Sequence, residues 1–205
     1  GGAFFQSGVS NVTHDSRQSI AQKEKSEIAS RVSSMIPDNS SVVLNIGTTT
    51  EQVAKNLVGT HKGLKIITNN INIVNIAAHS KNCEVWVAGG KVRTGDNAVL
   101  GSTAANFIKN FKIDYAIVGI SAIDEDGTLL DFDHEELMVT QAIYKQSRKI
   151  ILIADANKFD RKAPYVTGSL SDVDIFVTDL KPTKKIIKIC KNNNVDLIIT
   201  SSVSK

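Results

Sequence analysis

The sequence predicts one open α/β domain, a doubly wound and mostly parallel sheet with helices on both faces. Three observations carry this. Apolar runs of strand length alternate with helical patterns along most of the chain. The runs, such as LKIIT, KIILIA and DLIIT, are continuous rather than alternating, as expected of strands buried on both faces by helices. Small and polar residues follow one run after another, and in such sheets the carboxyl edge is where ligands bind.

Residues 1–16 are polar and irregular and read as a linker. Gly1 in place of Met adds the expectation that the chain is a piece of a longer protein. From Arg17 the pattern turns helical: Ser16 can cap, and Ile28, Val32, Met35 and Ile36 recur at helical spacing until Pro37-Asp38 stops the helix. The strands expected after it are Val42–Ile46, Leu64–Thr68, Glu84–Ala88, Tyr115–Val118, Lys149–Ala154, Ile175–Thr178 and Leu197–Thr200. Helical patterns lie between them near 50–58, 71–79, 102–110, 134–147 and 182–192. Residues 17–205 are thus one domain, without internal repeats or low-complexity segments.

Composition narrows the function. In 205 residues, Lys plus Arg exceed Asp plus Glu by 24 − 21 = 3, far from the basicity of a domain that grips nucleic acid by itself. The densest basic cluster, Lys181, Lys184, Lys185, Lys188 and Lys191, has helical spacing and reads as a solvated helix face. Cys83 and Cys190 have no second Cys or His at ligand spacing, so no zinc site is expected. They read as small buried thiols of a reducing compartment. No apolar run approaches the roughly 20 residues of a membrane span, and no secretory signal is visible. A soluble cytoplasmic protein without a cofactor is expected.

The most informative stretch is VVLNIGTTT, residues 42–50. A buried strand stops at Gly47, and Thr48, Thr49 and Thr50 lead into a helix. Such a turn presents unpaired backbone N–H groups and the positive end of the helix dipole, which suits a phosphate. A Thr-capped strand–helix connection without a ligand has the same residues. Five further runs end in Thr68-Asn69-Asn70, Ala88-Gly89-Gly90 with Arg93 beyond, Gly119-Ile120-Ser121, Ala154-Asp155-Ala156-Asn157-Lys158 and Thr178-Asp179. Ordinary turns use the same residue types, but their recurrence at one edge points to a shared polar pocket. Arg93 or Lys158 would neutralise a phosphate. Asn69, Asn70 and Asp131 or Asp133 would bond sugar hydroxyls. Asp133, Glu135 and Glu136 open a helix, where acidic residues also favour the dipole, and that structural role is the preferred one for Glu136.

In order and spacing, NIGTTT, TNN, AGGKVR, DYAIVGISAIDEDGTLLDFDHEE, ADANKF and DIFVTD resemble the C-terminal effector domain of DeoR-type transcriptional repressors. The upstream QKEKSEIASRVSSMI resembles the helix that opens that domain, and the similarity covers about residues 17–200. It implies a fold related to ribose-5-phosphate isomerase and glucosamine-6-phosphate deaminase, a phosphorylated sugar or related metabolite as ligand, and a homo-oligomer, dimer or tetramer. It also implies operator DNA as a partner, through a winged helix–turn–helix absent from this chain. By motif, Gly47, Thr48, Thr49 and Thr50 would be the phosphate loop. Thr68, Asn69, Asn70, Gly89, Gly90, Arg93 and Ser121 would line the cleft, with Asp133, Glu135 and Lys158 facing the sugar. Two positions depart from the pattern: Thr140, where many such domains have Lys, and Asn45, where an acidic or small residue is more usual before the Gly.

Two functions follow from different classes. One is a sensor whose effector alters the affinity of a DNA-binding part. The other is an aldose–ketose isomerase, which needs a carboxylate base beside the reacting carbon, with Asp114 and Glu135 as the candidates. Asp114 starts its strand, away from the carboxyl edge, and the run AIVGISAID replaces the acidic loop of the isomerases. The sensor is therefore the expectation. A module that only oligomerises would bind no ligand.

Overall fold

The computed structural model describes residues 13–159 and 161–201. Residues 1–12 of the expected linker lie outside them; the rest already enter structure. Thr13, rather than Ser16, caps a short helix α1 (His14–Ser19) by accepting from the Ser16 N–H. The single helix expected from Arg17 is two, because Ala21 adopts a left-handed conformation (φ 54°) and starts α2 (Gln22–Ser33) on a new axis. That conformation costs a non-glycine residue about 1–2 kcal/mol. The Lys25 ammonium braces the corner by donating to the Arg17 carbonyl.

The remaining elements run β1 (Ser41–Leu44), α3 (Thr48–Thr60), β2 (Leu64–Thr68), α4 (Ile71–Ala77), β3 (Cys83–Val87), β4 (Val92–Arg93), β5 (Ala98–Val99), α5 (Gly101–Ile108) and β6 (Ile113–Gly119). Then come β7 (Ala122–Ile123), β8 (Thr128–Asp131), α6 (His134–Gln146), β9 (Ser147–Ile153), β10 (Tyr165–Ser169), β11 (Ile175–Thr178), α7 (Lys184–Asn192) and β12 (Asp196–Ile199). Seven strands form the main sheet in the order β12-β11-β9-β6-β1-β2-β3, and every pairing in it is parallel.

Alternate residues of these strands feed two cores, one on each face. Val43 and Phe176 point into a core closed by Ala104 of α5, Val139 of α6 and Ile186 of α7. Val42, Leu44, Ile175 and Val177 point into the other, closed by Ile28 of α2, Val53 of α3 and Ile73 of α4. This double burial is why the strands read as continuous apolar runs. From β1 the chain winds outward through β2 to β3, and from β6 it winds the other way through β9 and β11 to β12. The strand order therefore reverses between β1 and β6, the place where such sheets open a crevice beyond their carboxyl ends.

Two small antiparallel units decorate that edge: the hairpin β4–β5 and the sheet β10-β8-β7. Their strands have two to five residues, too short for a periodic signal. The C-terminal lysines 181, 184, 185, 188 and 191 are exposed, as read from their spacing. Cys83 is half-buried and Cys190 buried, and neither is in a disulfide. No helix among the described residues is long and apolar enough to cross a membrane.

Candidate functional site

At the reversal point β1 ends and the chain turns through Asn45, Ile46 and Gly47 into α3. Gly47 has φ 146°, a conformation that side chains rarely allow. The Thr50 hydroxyl closes the turn by donating to the carbonyls of Asn45 and Gly47, at 2.9 and 2.7 Å. The Asn45 side chain fastens the turn to β6: its oxygen accepts from the Gly119 N–H at 2.9 Å, and its amide donates to the Gly119 carbonyl at 3.2 Å. Asn45, the unusual residue before the Gly, thus has a structural role between the two central strands.

The turn leaves donors unused. The N–H groups of Thr48, Thr49 and Thr50 open the first turn of α3, and among the described residues none has a backbone acceptor, as expected for a helix start. The Thr48 and Thr49 residues are only 8% exposed. Their hydroxyls, unlike that of Thr50, make no bond that closes the turn.

These residues wall one side of a cleft of about 470 Å³, counting its mouth, whose other walls include Arg17, Ser121, Asp131, Glu136 and Lys158. Lys158 sits in a 3₁₀ turn after β9 that Asp155 caps. Among the described residues, no carboxylate lies within ion-pair distance of its ammonium. Burial lowers its pKa to about 8, Arg161, Arg17 and Lys25 adding to the effect and Asp155 opposing it. On the acidic side of the cleft the Ser121 hydroxyl donates to Asp131 at 2.5 Å, and the Phe132 N–H donates to the same oxygen at 3.0 Å. Burial and the neighbouring Asp131 push the Glu136 carboxyl well above its ordinary range, against the pull of Arg93.

Of the residues singled out in the sequence, Gly47, Thr48, Thr49, Thr50, Ser121, Asp131 and Lys158 therefore share one cleft. The others are placed elsewhere. Thr68 is fully buried, donating to the Leu44 carbonyl at 2.8 Å and accepting from the Asn70 N–H at 3.0 Å. Asn69 donates to the Val99 carbonyl, holding β5 against the end of β2. Asn70 caps α4 through Asn72 and donates to Glu51, and Glu51 also accepts from Asn72 and contacts the His14 ring. Gly89 and Gly90 are exposed; Gly90 (φ 145°) lies where a Cβ would meet Val99 at 3.3 Å, so it serves the approach of the β4–β5 hairpin.

Arg93 is enclosed by acids: Asp96 and Glu136 at 2.6 Å and Asp133 at 2.7 Å. Although burial works against its charge, the bond to Asp96 and the charges of Glu136 and Asp96 hold its pKa above the ordinary value. Asp133 caps α6 by accepting from Glu135 N–H. Glu135 itself is exposed. Asp114 accepts from the backbone and hydroxyl of Ser41, at 3.0 and 2.7 Å, at the amino end of β6, and those bonds hold its carboxyl below the usual range.

Arg17 and Glu136 were not assigned to the pocket from the sequence. Arg17 arrives from α1, before the sheet begins, so no strand-end rule could find it. Glu136 lies one helical residue beyond Glu135, and only the direction of α6 decides which of the two faces inward.

The fold is an α/β domain of the kind found in ribose-5-phosphate isomerase and in eIF2B. Ribose 5-phosphate isomerase A of Methanocaldococcus jannaschii superposes with a TM-score of 0.50 at 11% identity, covering 67% of this chain and 54% of its own. The eIF2B beta subunit of Chaetomium thermophilum superposes with a TM-score of 0.54 at 15% identity, covering 76% and 48%. The chain spans about half the length of these structures, and at such identities they speak for the fold alone.

Residues 20–180 match the DeoR C terminal sensor domain, and the chain belongs to that family. It is similar to the glycerol-3-phosphate regulon repressors of Escherichia coli (strain K12), at 36% identity over 96% of this chain and 78% of the relative, and of Haemophilus influenzae, at 38% over 97% and 77%. The HTH-type transcriptional repressor CsqR of Escherichia coli (strain K12) is 34% identical over 97% of this chain and 76% of its own length.

Proposed function

We propose that the cleft between β1 and β6 binds a phosphorylated sugar or related metabolite as an effector, without turning it over. One observation carries this: the unpaired N–H groups of Thr48–Thr50 and the ammonium of Lys158 line one cleft. A phosphate accepts from the former and is neutralised by the latter. Asp131 and Glu136 supply acceptors for sugar hydroxyls on the opposite wall. In this reading the domain forms a homo-oligomer, and a DNA-binding part outside residues 13–201 reads the operator. Effector and operator then influence each other by a coupling typically worth about 1–3 kcal/mol.

The absence of turnover is part of the proposal. Asp114 is fastened to Ser41 at the other end of β6, and Glu135 is exposed. Lys158→Ala should weaken a phosphorylated ligand at least about tenfold and its dephosphorylated analogue hardly at all, measured by titration calorimetry. Equal loss for both would make Lys158 structural. Interconversion of ribose 5-phosphate and ribulose 5-phosphate by the purified protein would overturn the non-catalytic part.

A further inference from the structure

We propose that the cavity bounded by Arg17, Lys25, Lys158 and Arg161 is a second anion subsite, so that the effector is a sugar with two anionic groups, a bisphosphate or a phosphorylated sugar acid. This rests on the phosphate reading of the Gly47–Thr50 cleft and extends it.

The cavity measures about 750 Å³, counting its mouth. Among the described residues its lining has four cations, Arg17, Lys25, Lys158 and Arg161, and one carboxylate, Asp155. The carboxylate is itself occupied, accepting from the backbone and side-chain amides of Asn157 at 3.1 and 2.9 Å. Lys25 comes from α2 with its side chain buried, only 4% exposed. It donates to the Arg17 carbonyl and, among the described residues, has no carboxylate at ion-pair distance. Among the described residues Arg17 has one loose ion pair, 3.7 Å to Asp96, and its buried Nε has no hydrogen-bond partner. The Arg161 guanidinium lies over the Phe132 ring at 5.3 Å.

Lys25 and Lys158, each without a carboxylate at ion-pair distance among the described residues, are costly to keep charged in a buried place. Burial lowers the pKa values of both Lys25 and Lys158, with Arg17 adding to it and Asp155 opposing it, so that each would gain from a closer counter-ion. An anion seated here would supply one.

The cavity is distinct from the cleft yet continuous with it. Lys25 and Arg161 line only the cavity, and Thr48 and Thr49 only the cleft. Arg17 and Lys158 line both. One ligand can therefore place a phosphate on the Thr loop and its second anionic group among Lys25 and Arg161.

Titration calorimetry of the intact chain with fructose 6-phosphate, fructose 1,6-bisphosphate and 6-phosphogluconate tests this. At least one of the two doubly anionic probes should bind about tenfold or more tighter than fructose 6-phosphate, and which of them does so tells a phosphate from a carboxylate. Arg161→Gln should remove that advantage while leaving fructose 6-phosphate unchanged. Fructose 6-phosphate binding as tightly as both others would overturn the second subsite and leave the cleft reading intact. Equal weakening of all three probes by Arg161→Gln would also overturn it, because the two cavities would then hold one anion. Failure of all three to bind overturns the subsite too, and the cleft reading falls separately only if a wider set of monophosphates fails.

Discussion

Two polar clusters stand at the carboxyl edge of the sheet and use their atoms in opposite ways. Around Arg93 every strong group has a partner: three carboxylates surround one guanidinium, and Asp133 also caps a helix. Around Gly47–Thr50 the N–H groups have no backbone acceptor, and Lys158 has no acidic partner, among the described residues. Both clusters contain Gly, a cation and hydroxyl or acidic residues, so in sequence they look alike. Satisfied groups hold loops in place, whereas unsatisfied ones are left for something that arrives from solution.

The largest effect is expected at Gly47. Its φ of 146° excludes a β-branched side chain without distortion, so Gly47→Val should weaken a phosphorylated ligand about a hundredfold, roughly 2.7 kcal/mol. Circular dichroism should be unchanged, because the cores on both faces are untouched. Unaltered affinity would remove the loop from the site and with it the contrast between the clusters.

Arg93→Ala should act on stability instead. Breaking a buried pair costs about 3–5 kcal/mol; Arg93 is 34% exposed, so a loss of roughly 2 kcal/mol is expected in denaturant unfolding. The ratio of affinities for phosphorylated and dephosphorylated ligands should stay as in the unmodified protein. A selective loss of the phosphorylated ligand would place Arg93 in the binding site after all.

A smaller effect follows from the titration of Lys158 near pH 8. Lowering its pKa below that of the unfolded chain means that the unfolded state holds more protons between about pH 8 and pH 10. The destabilisation from its buried charge is thus full below pH 8 and is relieved as pH rises through that window. Ligand affinity runs the other way, since only the protonated amine neutralises phosphate. Affinity for a phosphorylated ligand should fall several-fold from pH 7 to pH 9, and Lys158→Arg, always charged, should flatten the profile. An identical fall in both proteins would assign it to another group.

How far the sequence carried depends on the kind of signal. Apolar runs located all seven main strands to within a few residues; the inner five read as continuous because they are buried on both faces, whereas the edge strands β3 and β12 are partly exposed. The β4–β5 hairpin and the small β10-β8-β7 sheet escaped, their strands being too short to show a period. The strand-end rule brought Gly47–Thr50, Ser121 and Lys158 to one cleft, since all lie just past β1, β6 or β9. It also swept in Thr68, Asn69, Asn70 and Arg93, because residue type alone does not tell whether an amide or guanidinium will find a partner inside the protein. Arg17 and Lys25 needed the fold itself: a corner at Ala21 turns α1 back toward the sheet edge, and nothing local in the sequence marks that direction.

The most direct measurement is thermal unfolding of the chain against a panel of sugar phosphates, each beside its unphosphorylated partner. At 100 times its dissociation constant a ligand stabilises by about 2.7 kcal/mol, a rise of roughly 5–10 °C for a domain of this size. The unpaired donors of Gly47–Thr50 predict such a rise for one or two phosphorylated compounds and none for their unphosphorylated partners. No rise with any phosphorylated compound, or equal rises with and without the phosphate, would contradict the phosphate reading of that loop.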